Sequence, residues 1–250
     1  MEGTESLRGL VLSSGRALAD LAMPRTCLVC GNPLGAEEKH LCIWCEAEVP
    51  LTYTWEQKHN PMADEFNAVL ELLRGESESL EYAYAASLLY YHHENPYKVI
   101  PQELKYHRNL PAGRFFSAWL GRLMATQAHW ADVDVVIPVP LHWLRRWRRG
   151  YNQAAVIARE LARELGAAVR TDVLKRVRRT RSQTSLSAEE RLHNVSSVFQ
   201  VRRPIEAKHI LLVDDTFTTG ATLAACHKAV RSVLGPSVRI SIATLARVDM

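Results

Sequence analysis

The sequence predicts an α/β fold, a parallel sheet flanked by helices, with a small cysteine-rich module ahead of it. Three observations carry that prediction. Residues 133–139 (VDVVIPV) and 210–213 (ILLV) are nearly continuous apolar runs, as in strands buried on both faces. Residues 153–165 and 221–234 have helical periodicity, and strands alternating with helices imply a parallel sheet. Two CxxC pairs, Cys27/Cys30 and Cys42/Cys45, stand close together before that alternation begins. The expected divisions are a helix plus a four-cysteine module over 1–60, a connecting helix over 61–80, and the α/β domain over 81–250.

Taken in order, residues 6–21 place Leu7, Leu10, Val11, Leu18 and Leu21 at roughly helical spacing, and Pro24 stops that helix. Residues 50–65 are aromatic and polar without a clear period. A short helix is expected over 68–73, closed by Gly75. Residues 83–91, rich in Ala, Leu and Tyr, favour a strand, and Asn95–Pro96 marks a turn. Helices are expected over 99–106 and 114–128, separated by Pro111 and Gly113. After the strand at 133–139, the helix at 153–165 is closed by Gly166. Short strands are expected at 169–174 and 198–201, with a polar, basic, serine-rich stretch over 176–194 between them. The strand at 210–213 leads into the helix at 221–234, which Gly235–Pro236 ends, and 238–245 forms a last strand.

The 250 residues suffice for one large domain, or a medium one with a satellite. A net charge of +4 is mild and does not by itself imply nucleic acid. No apolar run is long enough to span a membrane, and Glu2, Glu5, Arg8, Arg16 and Asp20 interrupt the first twenty residues, so the expected compartment is the cytoplasm.

The chemistry concentrates in residues 210–222, ILLVDDTFTTGAT. A buried strand ends in two carboxylates, a hydroxyl-rich turn containing Gly220 follows, and a helix begins at once. In open α/β sheets ligands sit at the carboxyl ends of the strands. A helix N-terminus offers free N–H groups to an anion, and glycine lets a phosphate come close. Acids beside a phosphate repel it unless they accept sugar hydroxyls or hold Mg²⁺. A phosphorylated ribose satisfies both conditions. GxxxxGK[ST] and GxGxxG are both absent, which weighs against a nucleoside-triphosphatase loop and a dinucleotide oxidoreductase.

These thirteen residues resemble the 5-phosphoribosyl-1-pyrophosphate (PRPP) motif of type I phosphoribosyltransferases. The resemblance implies that Asp214 and Asp215 bind the ribose hydroxyls. It also implies that Thr218, Thr219, Gly220 and Thr222 hold the 5-phosphate, with Thr216 in the same loop and Mg²⁺ accompanying the ligand.

A second strand end repeats the logic. After 133–139 the chain reads PLHWLRRWRRGYNQA, with Arg145, Arg146, Arg148 and Arg149 crowded beside Trp143 and Trp147. Arginine binds phosphate through paired donors, although a charge run alone is also compatible with a solvated turn. The strand, the PVP and the RxxRGYNQA resemble the ComF family, also called the competence-protein or GntX-like family. Arg146, Arg149, Gly150, Asn152 and Gln153 match, and Tyr151 stands where Phe is common. Residues 176–199 extend the likeness through Arg176, Thr180, Gln183, Leu186, Arg191, Asn194 and Phe199. The resemblance implies a basic hood, including Arg146, Arg149, Arg176, Gln183 and Arg191, that faces pyrophosphate and closes over PRPP. Lys105–Tyr106 resembles a family element in which Lys105 joins that hood. His107–Arg108 depart from the small, glycine-containing residues usual after it.

Each CxxC forms a knuckle that aims two sulfurs at one point, and two knuckles complete a tetrahedral S₄ set suited to structural Zn²⁺. A redox dithiol, a pair of disulfides and an iron–sulfur cluster are the competing readings. The ComF resemblance implies the same zinc-ribbon-like module. Cys226, alone on a helix, is expected to be a core residue.

The resemblance points to natural transformation. It implies a PRPP-binding protein that handles incoming single-stranded DNA with DNA-uptake and recombination partners. The alternative is an active transferase passing phosphoribosyl to a nitrogen nucleophile with release of pyrophosphate. No residue identifies its acceptor or general base.

Overall fold

The computed structural model describes residues 24–73, 81–141, 147, 150–177 and 198–248. The expected helix over 6–21 lies outside them, as do Arg146, Arg149, Gln183 and Arg191. Two compact units are present: Met1–Pro50 with Glu94–Val99, and Leu51–His93 with Ile100–Met250.

In the first unit the backbone folds around the cysteines. Gly31 N–H donates to the Cys27 carbonyl at 2.9 Å, and Cys27 N–H donates to the Asn32 carbonyl at 2.8 Å. The short helix α1 (Ile43–Ala47) follows Cys42, and the Glu46 N–H donates to the Cys42 carbonyl at 2.8 Å. A 3₁₀ turn, Pro96–Lys98, is capped by Asn95, which accepts from the Tyr97 N–H. The Tyr97 hydroxyl donates to the Cys45 carbonyl at 2.8 Å, tying that turn to the second knuckle.

In the second unit five strands form the predicted parallel sheet. They are β1 (Ala85–Tyr91), β2 (Val135–Pro138), β3 (Ala168–Val169), β6 (His209–Phe217) and β7 (Arg239–Val248), in spatial order β1-β7-β6-β2-β3. A separate antiparallel hairpin pairs β4 (Leu174–Arg176) with β5 (Phe199–Val201). Helices α2 (Pro61–Leu73) and α6 (Ala221–Leu234) cover one face, burying Phe66, Leu70, Leu223 and Val230 with Ile137, Ile210, Leu212 and Ile242. Helices α4 (Leu110–Ala125) and α5 (Gln153–Leu165) pack against each other, α5 on β2 and β6 and α4 on β1. Ile210 through Val213 are fully buried, as a central strand between two helical layers requires. Helix α3 (Val99–Tyr106) precedes α4.

Four differences from the expected elements have local causes. Helix α2 begins at Pro61 rather than residue 68. Asn60 caps it, accepting from Met62 and Ala63 N–H, and Pro61 occupies a first-turn position where no N–H is missed. Helix α4 begins at Leu110, capped by Asn109, so Pro111 opens that helix instead of breaking the chain. The single strand expected at 169–174 divides between two sheets, β3 pairing with β2 and β4 with β5. The fourth concerns the site. Strand β6 does not stop at Val213; it continues to Phe217 because β7 goes on pairing with it, through Asp214↔Thr244 and Thr216↔Ala246. On its other side β2 drops away after Pro138↔Val213, where Pro138 and Pro140 have no N–H for a ladder. The acid pair therefore lies on the strand itself, on a part bordered by β7 alone. Cys226 is buried in the core, as expected.

Candidate functional site

Because side chains alternate along a strand, the two acids at the end of β6 have different surroundings. Asp214 and Thr216 line a small hollow with Thr218, Gly220 and Thr222 at the start of α6. Thr219 is exposed and lies outside that lining. Gly220 has φ +69°, and a Cβ there would stand 3.0 Å from the Phe217 ring and 3.3 Å from Phe66. Both the left-handed turn and the aromatic floor thus require glycine. The hollow opens on the first turn of a 14-residue helix, where N–H groups are free to face an anion.

Asp215 instead meets Lys105, on the last turn of α3, with Nζ 3.1 Å from its Oδ1. Asp214 accepts the Asp215 N–H at 2.8 Å. Burial, reinforced by the neighbouring Asp215 charge, pushes the Asp214 carboxyl up to about 7, against the lowering influence of Lys105 and Arg176. Arg176, on β4, therefore acts electrostatically on Asp214, and its guanidinium lies 5.4 Å from the centre of the Phe199 ring.

A larger pocket of about 500 Å³ opens at the neighbouring strand end, where Pro140, Tyr151, Asn152, Arg159, Lys175 and Arg176 are among its walls. Asn152 joins the exit of β2 to the start of α5. Its side chain accepts from the Ala154 N–H at 3.2 Å and donates to the Val139 carbonyl at 2.9 Å. The Tyr151 hydroxyl donates to the Leu104 carbonyl of α3. Gln153 is buried, and neither its amide oxygen nor its nitrogen has a hydrogen-bond partner among the described residues. The structure thus brings Asp214, Thr216, Thr218, Gly220 and Thr222 together, sets Lys105 on Asp215, and gives Arg176 to the adjoining pocket. Sequence reasoning did not single out Arg159, Lys175 or Tyr151 as parts of that pocket. Arg159 follows Asn152 by seven positions, two helical turns along the same face, and that spacing was the available signal.

In the first unit, the sulfurs of Cys27, Cys30, Cys42 and Cys45 all lie within 4.8 Å of one another, and Cys30 and Cys42 are 3.7 Å apart. A tetrahedral ZnS₄ site with bonds of about 2.3 Å has sulfur–sulfur edges of about 3.8 Å, whereas a disulfide needs about 2.05 Å. The cluster fits a metal and could hold zinc. Burial opposes ionisation of the Cys27 thiol, but backbone hydrogen bonds at Cys30, Cys42 and Val29 overcome it and bring the thiol down to about 6. At Cys45 burial and the other thiols raise it strongly. The Cys27 thiolate is thus prepared for a metal, whereas Cys45 needs the metal's charge to ionise.

A family model described as a phosphoribosyl transferase domain matches residues 151–249. Competence protein F of Haemophilus influenzae is 26% identical over 224 residues, which is 83% of this chain and 91% of that protein. Competence protein ComFC of Bacillus subtilis is 32% identical over 117 residues. The chain is thus similar to competence proteins of the ComF kind and, over residues 151–249, to a phosphoribosyl transferase domain. DNA utilization protein YhgH of Salmonella typhimurium is 41% identical over 91 residues, which is 36% of this chain and 40% of that relative. The match to ComFC likewise spans less than half of either protein, 45% of this chain and 44% of that one. The phosphoribosyl transferase match contains the β6 turn, α5 and Arg176, but it begins after Lys105 and the cysteine cluster. No helix among the described residues is long and apolar enough to cross a membrane.

Proposed function

We propose that this protein is of the ComF kind, that it binds PRPP with Mg²⁺ at the carboxyl end of β6, and that it serves the uptake and handling of incoming DNA in the cytoplasm. The observation that carries the first part is the hollow at the head of α6, where Asp214, Thr216, Thr218, Gly220 and Thr222 converge. The Thr218–Thr222 turn would take the 5-phosphate through backbone N–H and hydroxyl donors, with Thr219 reaching it from the rim. Asp214 and Asp215 would accept the ribose hydroxyls, and Mg²⁺ would neutralise the pyrophosphate. Arg176, with Arg146, Arg149, Gln183 and Arg191, would supply the hood. The names of the relatives, which concern competence and DNA utilization, support the second part. Single-stranded DNA is the expected partner, met by the basic stretches through phosphate contacts that weaken as salt rises. Zinc on Cys27, Cys30, Cys42 and Cys45 would be structural, since four sulfurs leave no open coordination position.

Calorimetry with PRPP and Mg²⁺ tests the site. Binding is expected to the native chain and not to the Asp214→Asn/Asp215→Asn double variant; equal binding to both would remove the acid pair from the reading. A fluorescent single strand tests the DNA contact, and an absence of affinity even at low salt would refute it. A screen for pyrophosphate release from PRPP across bases and amines decides between ligand binding and transfer chemistry.

A further inference from the structure

We infer that Arg108 is a second anion-binding group of this site, one that meets the diphosphate end of the ligand at the Gly150 turn. The inference rests on the PRPP reading above. Its starting point is the backbone. Among the described residues only Tyr53 and Arg108 combine a side chain with a positive φ, and Arg108 lies at +56°. It sits just past α3, where the His107 and Asn109 N–H groups both donate to the Glu103 carbonyl, at 3.2 and 3.1 Å. That closing turn favours glycine in the left-handed position, because a Cβ there crowds the backbone. The turn is held firmly: the Glu103 carboxylate lies 2.6 Å from His107 Nδ1 and accepts from Asn109 Nδ2 at 2.8 Å. An arginine in a place that suits glycine calls for a use of its side chain.

The geometry supplies that use. Gly150 also has a positive φ, +80°, and a Cβ placed on it would stand 3.6 Å from a terminal nitrogen of Arg108. The guanidinium therefore lies against the turn that opens α5, and the Tyr151–Leu104 hydrogen bond ties the same two segments together. The end of α3 thus delivers two cations to the carboxyl edge of the sheet. Lys105 reaches Asp215 at the end of β6, and Arg108 reaches the loop after the adjacent strand β2. A ligand with its monophosphate on the α6 turn and its ribose on the acid pair carries its diphosphate toward the next strand end. A guanidinium fork suits two phosphate oxygens at once.

Calorimetry on the full chain with PRPP·Mg²⁺, pyrophosphate·Mg²⁺ and ribose 5-phosphate, for the native protein, Arg108→Gly and Arg108→Lys, tests this, with Tm measured for each. Arg108→Gly should keep or raise Tm, because glycine relieves the left-handed backbone. It should weaken PRPP and pyrophosphate by about tenfold or more while leaving ribose 5-phosphate within about twofold. Arg108→Lys, which keeps the charge but loses the fork, should fall between, and it carries the test if the glycine variant does not fold. Equal PRPP and pyrophosphate affinities in native and variant proteins would overturn the role of Arg108 and leave the PRPP reading standing. A lower Tm with all three ligands weakened alike would make Arg108 structural. A native chain that binds neither PRPP nor ribose 5-phosphate would overturn the PRPP reading and this inference with it.

Discussion

The cysteine cluster and the acid pair pose the same physical problem, several potential anions held within a few ångströms, and the protein answers it differently in each. The shifts come from burial and backbone hydrogen bonds at Cys27, and from burial and the other thiols at Cys45. Two cations of the chain, Lys105 and Arg176, act on Asp214, and Lys105 forms an ion pair with Asp215. A cluster that takes its positive charge from a metal depends on that metal for its own order. A pair that is already partly compensated keeps its shape with the site open, and it can exchange one charged ligand for another.

Removing the metal should give the largest effect. With structural zinc contributing on the order of 10 kcal/mol or more in small modules, Cys42→Ser is expected to abolish zinc binding and unfold the first unit. Elemental analysis should fall from one zinc per chain to none, and hydrogen exchange should show residues 27–47 unprotected. A zinc-free native chain with those residues protected would place the two clusters on the same footing. Next in size, the double Asp214→Asn/Asp215→Asn variant should lose about a hundredfold or more in PRPP affinity, since hydrogen bonds to charged groups contribute about 1.5–3 kcal/mol each. Its fold should remain, because the flanking strand is buried along its whole apolar run.

The acid pair should also show itself in pH dependence. The Asp214 carboxyl lies at about 7, above an unfolded value near 3.9, so folding disfavours its ionised form. Its contribution is therefore neutral at pH 4, becomes destabilising as pH rises between those two values, and reaches its full cost above 7. Asp214→Asn should raise Tm at pH 8 and leave it unchanged at pH 4. A gain of about 1 kcal/mol corresponds to about 2–4 °C for a chain of this size. PRPP binding, which uses the ionised form, should run the other way, weakening by roughly tenfold per pH unit below 7. A flat pH profile between 5.5 and 8 would show that Asp214 is not a ligand-bearing group.

How much of this could be read in the sequence varied with the kind of signal. The β6 turn was legible because strand, acids, glycine and helix follow one another within thirteen residues, and the cysteines because paired CxxC spacing carries its own geometry. The extent of β6 was not legible. Asp214–Thr216 belong to a strand only because β7 supplies a ladder there while the prolines of β2 withdraw theirs, which is a relation between distant segments. The start of α2 was legible in Asn60–Pro61, a cap followed by a first-turn proline: the connecting helix expected over 61–80 begins there, whereas periodicity alone supported only 68–73. The separate fates of Asp214 and Asp215 follow from strand alternation alone, once the strand is known to include them. The positive φ of Arg108 had no signal in its own residue type, since arginine gives no reason to expect it.

The smallest expected effect separates the two clusters most finely, because it removes the chain's own cation from the acid pair. Lys105 and Asp215 are 27% and 16% exposed, so their ion pair should contribute no more than about 1 kcal/mol to stability, and Lys105→Met should leave Tm nearly unchanged. Its effect on ionisation should still be measurable. Lys105 lowers the Asp214 carboxyl from where burial would otherwise put it, so its removal should move the midpoint of the PRPP pH profile upward. At pH 8 the variant should then bind more weakly than the native chain, and the difference should narrow as pH rises further. An unchanged midpoint would mean that Lys105 compensates Asp215 alone and leaves its neighbour in sequence untouched.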